Sequence, residues 1–152
     1  MLPEMSRESV AEWLTVNGWT PERDISEKAG EFIHHAIQES NEEGCPVVAF
    51  EGVENFIRSY GLLRLTHPSD PKESLIINPT GGYEGDFREI EELAQEIGKR
   101  LFRVGYDMPE GGIFVLAEDG SLYYLHHTGT YYLGADEYEA FSNWVRGNLQ
   151  SV

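Results

Sequence analysis

The residue pattern predicts an α+β fold. It has a mainly antiparallel, twisted sheet with a central Asp-Gly hairpin, packed by N-terminal helices, one middle helix and a C-terminal helix. Three observations carry this. Two strand-like apolar runs, 113–117 and 122–125, flank Asp119-Gly120, and Asp-Gly between such runs is a strong hairpin signal because a type I′ turn needs φ > 0 at both central residues. Segments with helical apolar spacing lie before, between and after the strand-like runs without regular βα alternation, which argues against a doubly wound fold. Both faces of the hairpin are largely apolar, so both need cover.

Ser6 suits the N-cap of a first helix, with Glu8 in the first turn, where an acidic side chain meets the positive end of the helix dipole. Val10, Trp13 and Leu14 follow at helical spacing, and Gly18 suits the C′ position. Residues 19–24 connect, since Pro21 biases Thr20 away from helix. Trp19 lies off any apolar stripe and is expected to clamp helices together. Ala29, Phe32, Ile33, Ala36 and Ile37 form an i, i+3, i+4, i+7, i+8 stripe, a second helix that ends at 41–44. Phe50, Val53, Phe56, Ile57 and Tyr60 mark a third, stopped by Gly61. Residues 62–66 read as a short strand, 67–73 with two prolines as a surface loop, and 75–77 as another strand. After a glycine-rich loop at 80–85, Asp86 and Glu89 have capping-box spacing ahead of Ile90, Leu93, Ala94 and Ile97. Gly98 ends that helix. Strands are expected at 101–104 and at 131–133, the latter reached through Gly129. Asp136 and Glu139 repeat the capping pattern before Phe141, Trp144 and Val145.

If Asp119 and Gly120 are the two central turn residues, Glu118 faces Ser121, Leu116 faces Tyr123 and Phe114 faces Leu125. Because side chains alternate, Phe114, Leu116, Tyr123 and Leu125 then share one face, and Ile113, Val115, Leu122 and Tyr124 the other. The first face is the one expected to lie under the helices.

Length suits one domain spanning 1–152 with a real core. Apolar residues make up 40% and aromatics 12%, which favours a folded chain over disorder. Apolar runs are too short for a membrane span, and the N-terminal stretch MLPEMSRESV has no signal pattern, so the expected compartment is the cytoplasm. The single cysteine, Cys45, agrees with a reducing compartment. Eleven basic against 27 acidic residues give a net charge of −16. Such a chain is poorly suited to nucleic acid or an anionic membrane, whose phosphates need Lys and Arg. It is suited to steering a basic protein partner.

No catalytic pattern stands out. There is no P-loop, no GxGxxG, and no GxSxG elbow. Adjacent side chains diverge on regular structure, so neither His34-His35 nor His126-His127 is expected to hold an ion between its rings, and no metal or cofactor is expected. The acidic runs fall on outward helix faces. A small hydrolase using carboxylates or histidines would require a pocket where at least two such groups converge.

The punctuating residues, in order, carry a family resemblance. They are Gly18-Trp19 with Pro21 and Arg23; Phe56-Ile57-Arg58-Ser59-Tyr60-Gly61-Leu62; Asn78-Pro79; Ile97-Gly98; Leu101-Phe102-Arg103-Val104-Gly105; Asp119-Gly120-Ser121-Leu122-Tyr123; Leu133-Gly134; and a terminal helix to Gly147. Together, from about Trp13 to Gly147, they resemble the third subfamily of the SUKH superfamily of bacterial immunity proteins, which is related to the yeast-type cell-wall regulator fold. Two positions depart: Leu62 follows Gly61 where the family usually has a second glycine, and Arg103 stands where proline is common. The resemblance implies an α+β fold and a non-enzymatic role. That role is to bind and neutralise a toxin domain, often a nuclease or nucleic-acid deaminase, in a polymorphic toxin system. Regulatory and scaffolding members supply the alternative.

A basic toxin domain is therefore the expected partner, with the protein itself a monomer or weak homodimer. The expected contact residues are Tyr124, His126 and Tyr132 on the hairpin face away from the helices. Tyr83, Glu84, Asp107 and Glu110, in the loops 80–86 and 106–111, are expected to add an acidic rim.

Overall fold

Two apolar faces on one sheet dictate the layering, and the computed structural model, which describes residues 4–152, shows how each is covered. Met1 to Pro3, part of the stretch read for a signal pattern, lie outside the described residues. The strands are β1 (Arg64–His67), β2 (Asp70–Ile76), β3 (Leu101–Met108), β4 (Ile113–Ala117), β5 (Leu122–His126), β6 (Gly129–Gly134) and β7 (Gln150–Ser151). They pair antiparallel in chain order, as a meander. The helices are α1 (Arg7–Val16), α2 (Ser26–Glu42), α3 (Glu51–Tyr60), α4 (Asp86–Ile97) between β2 and β3, and α5 (Glu137–Arg146) between β6 and β7. The fold is α+β. No described helix is long and apolar enough to cross a membrane.

Helices α1, α2, α3 and α5 bury Val10, Leu14, Ile33, Ile57 and Phe141 against Phe102, Val104, Phe114, Leu116, Leu122 and Tyr124. On the opposite face α4 buries Phe87, Ile90 and Leu93 against Ile113, Val115, Tyr123 and Leu125. Each such side chain contributes about 1.5–3 kcal/mol of transfer free energy before ordering costs. Trp19 acts as the expected clamp: its ring stacks on Tyr60 at 6.1 Å and its Nε1 donates to Ser59 Oγ.

The hairpin departs from the expected register by one residue. Ile113 faces Leu125, Phe114 faces Tyr124 and Leu116 faces Leu122. The loop holds three residues, 118–120: Gly120 N donates to Ala117 O and Ala117 N donates to Ser121 O. Gly120 has φ 91°, whereas Asp119 is not among the positive-φ residues. This is a β-turn followed by a left-handed glycine, the usual three-residue solution, not type I′. Asp119 instead folds its carboxylate back onto Ser121 N at 3.0 Å and pairs with Lys99 Nζ at 2.8 Å. Lys99 and Ser121 pull the Asp119 carboxyl down to about 2. The slip moves Tyr124 onto the face under the helices and Tyr123 onto the α4 face.

Other differences are local. Residues 67–73 are not a loop: β1 and β2 meet in a tight hairpin, with Pro71 in an irregular stretch between Thr66 and His67's partners where no ladder N–H is needed. Strand β3 runs past the expected 104 to Met108 through a bulge between Arg103 and Gly105. Asp136 caps α5 by accepting from Glu139 N at 2.9 Å, as expected. Asp86 does not cap α4: Gly85 occupies the N-cap, while Asp86 Oδ2 accepts from Tyr83 N at 2.7 Å and faces Arg103.

Candidate functional site

In a meander, alternate turns lie at one end of the sheet. The β3–β4 turn (109–112) and the β5–β6 turn (127–128) therefore meet, and β2 starts beside them, since Ser74 pairs with Met108. Most of the residues expected to bind a partner gather here, though not all face outward.

Asp107 and Tyr124 correct the expectation of surface contacts. Both are buried, with 2% and 4% exposure. Asp107 Oδ2 accepts from Tyr124 Oη at 2.6 Å and from Trp144 Nε1 at 3.2 Å, and its Oδ1 accepts from Gly112 N at 2.8 Å. Three donors satisfy a carboxylate that would otherwise be costly to bury. Burial first, and the Asp107 carboxylate second, push the Tyr124 hydroxyl far above the usual tyrosine range. A side chain at Gly112 would overlap the Tyr124 ring, so glycine is required there. The longer β3 and the slipped β5 put this pair in the interior.

His126 and Glu110 stand above that floor. His126 Nε2 lies 2.9 Å from Glu110 Oε2, and Nδ1 lies 2.8 Å from Thr128 Oγ1. Thr128 Oγ1 is itself 2.8 Å from Tyr131 Oη. The imidazole stacks on Tyr124 at 5.6 Å and 25°. His127, absent from the expected site, joins them: its ring centroid is 3.9 Å from that of His126. Strand alternation does not part the two rings, because β5 ends at His126 and His127 begins the turn. Glu110, His126 and His127 bring one ligand atom each within 4.8 Å of one another.

A shallow cavity of about 270 Å³ opens beside this group, lined by Glu73, Asp107, Glu110, Tyr124, His126 and Leu149 among others. Burial raises the Glu73 carboxyl; nearby His67 opposes the rise, and Asp107, Asp70 and Glu110 add to it. His67 lies apart from the group, its Nε2 2.7 Å from Val145 O.

Tyr83 is 64% exposed, and its ring lies against Gly111, which places it on the same rim; Glu84, next to it in the chain, is also exposed. Tyr132 does not join them. It is half-buried on the α4 face, edge-on to Tyr123 at 5.5 Å. The rim thus brings together Tyr83, Glu110, His126 and His127, a carboxylate and two imidazoles beside an exposed aromatic ring.

Comparison with curated proteins and with solved structures returns no match. The family model for the SUKH-3 immunity protein matches residues 6–147, which take in all five helices and six of the seven strands, β7 excepted. The chain belongs to the SUKH-3 immunity protein family.

Proposed function

We propose that the protein is a cytoplasmic immunity protein that neutralises a basic toxin domain by stoichiometric, non-catalytic binding, acting as a monomer or weak homodimer. The observation that carries this reading is the family match over residues 6–147. The charge agrees with it: eleven basic residues can offset at most eleven of 27 carboxylates, so a strong negative field remains. A toxin that acts on nucleic acid, as a nuclease or a nucleic-acid deaminase, must hold phosphates with Lys and Arg. An acidic inhibitor attracts that surface over distances near a Debye length and raises the association rate.

The contact surface in this reading is the rim of Tyr83, Glu84, Glu110 and His126. Tyr83 supplies exposed ring area suited to an anchor, and the carboxylates supply steering. Asp107 and Tyr124 support the rim from beneath, and Tyr132 contributes from the other face only if the partner wraps around the sheet edge.

Co-expression with the toxin domain encoded beside the gene tests the reading. Growth should be rescued and the two chains should co-purify. Killing that continues despite abundant folded protein, with no complex recovered, would overturn it for that toxin. Recovery of a housekeeping protein instead would favour a regulatory or scaffolding role.

A further inference from the structure

We propose that Glu110, His126 and His127 form a binding site for a divalent transition-metal ion of the zinc class, tying the β3–β4 turn to the β5–β6 turn. The inference stands apart from the identity of any partner.

The donor set comes first. Two imidazole nitrogens and one carboxylate oxygen suit zinc and its neighbours, whereas magnesium and calcium prefer all-oxygen shells. Two histidines and a carboxylate also leave a coordination position for water or an outside ligand.

Geometry comes next. The three donor atoms lie within 4.8 Å of one another. Zinc bonds of about 2.0–2.1 Å in a tetrahedron hold donors about 3.3 Å apart. Closing the remaining gap requires side-chain rotation only. Glu110, 51% exposed at its side chain, and the exposed His127 are free to make that adjustment.

The third support is how His126 is held. Nδ1 faces Thr128 Oγ1, which Tyr131 Oη fixes in turn. Nδ1 also accepts from Thr128 N at 3.2 Å, so the ring is held on that side and its Nε2 faces Glu110 Oε2 at 2.9 Å. Outer partners of this kind orient metal-binding histidines. The ring also rests on Tyr124, whose hydroxyl is anchored on Asp107. One ligand is thus preorganised by the core, and two exposed ligands close on it.

The test uses untagged full-length protein, stripped with a chelator and titrated with Zn²⁺ in a calorimeter. One ion should bind per chain. His127→Ala and Glu110→Gln should each weaken binding by about tenfold or more, with unchanged melting temperatures in the absence of metal because both side chains are exposed. His34→Ala with His35→Ala should leave the affinity unchanged. Absence of saturable one-to-one binding would overturn the proposal. So would wild-type affinity in both the His127→Ala and Glu110→Gln variants, or loss of binding in the His34/His35 variant.

Discussion

Asp107 shows how one residue fixes the end of the sheet. Its carboxylate draws together Tyr124 from β5, Trp144 from α5 and the Gly112 amide from the β3–β4 turn. Tyr124→Phe removes one of the donors and leaves the ring in place. A buried acceptor left short costs about 1–3 kcal/mol, which for a chain of this size lowers Tm by roughly 2–10 °C. Thermal melts check this, and partner association should not change, since the hydroxyl faces inward. An unchanged Tm would show that the bond carries no net stability. The sequence showed Asp107 and Tyr124 as polar and amphipathic residues near a turn. Their burial depends on partners 17 and 37 positions away, and no local pattern encodes that. His127 was missed for a related reason: whether two neighbouring rings diverge depends on where β5 stops.

At the scale of elements, the caps and apolar stripes were legible because they are local. Ser6, Gly98 and Asp136 mark helix ends as read. The hairpin register was not legible. A one-residue slip exchanges the two faces of a strand, and Leu122, Tyr123, Tyr124 and Leu125 are apolar enough to suit either. Asp-Gly serves both a two-residue and a three-residue loop. The joint between α3 and β1 carries a different lesson. Leu62 has φ 67°, the one positive-φ residue besides glycines among the described residues, and it stands where the family usually has a second glycine. Its amide donates to Ile77 O at 2.7 Å, which holds the conformation. A left-handed backbone costs an L side chain about 1–2 kcal/mol, and glycine returns part of that through the unfolded chain. Leu62 is 41% exposed, so little packing is lost on truncation. Leu62→Gly should therefore raise stability by about 0.5–1 kcal/mol. Chemical denaturation measures it, and a lower midpoint in Leu62→Gly would show that Leu62 packing outweighs the backbone cost. Arg103, the other departure, is 1% exposed, with Nε on Pro79 O and its guanidinium between Glu39 and Asp86 over the Phe87 ring. It links α2, α4 and β3, a role invisible in a sequence where Arg reads as surface.

For the whole molecule, the sequence carried the charge and the need to cover both hairpin faces, but not that α4 covers the face opposite the other four helices. Nor did it carry which turns share an end. That juxtaposition places Glu110 beside His126 and His127 and puts Tyr83 on the same rim, while Tyr132 falls on the other face. The account's central claim is neutralisation by one-to-one binding, and titration of toxin activity tests it most directly. With the adjacent toxin domain held at a concentration well above the dissociation constant, activity on its own substrate is measured as the protein is added. The account predicts a linear fall to the baseline at one molar equivalent. Activity that persists at a large molar excess, or that is abolished at far less than one equivalent as a catalyst would do, contradicts it.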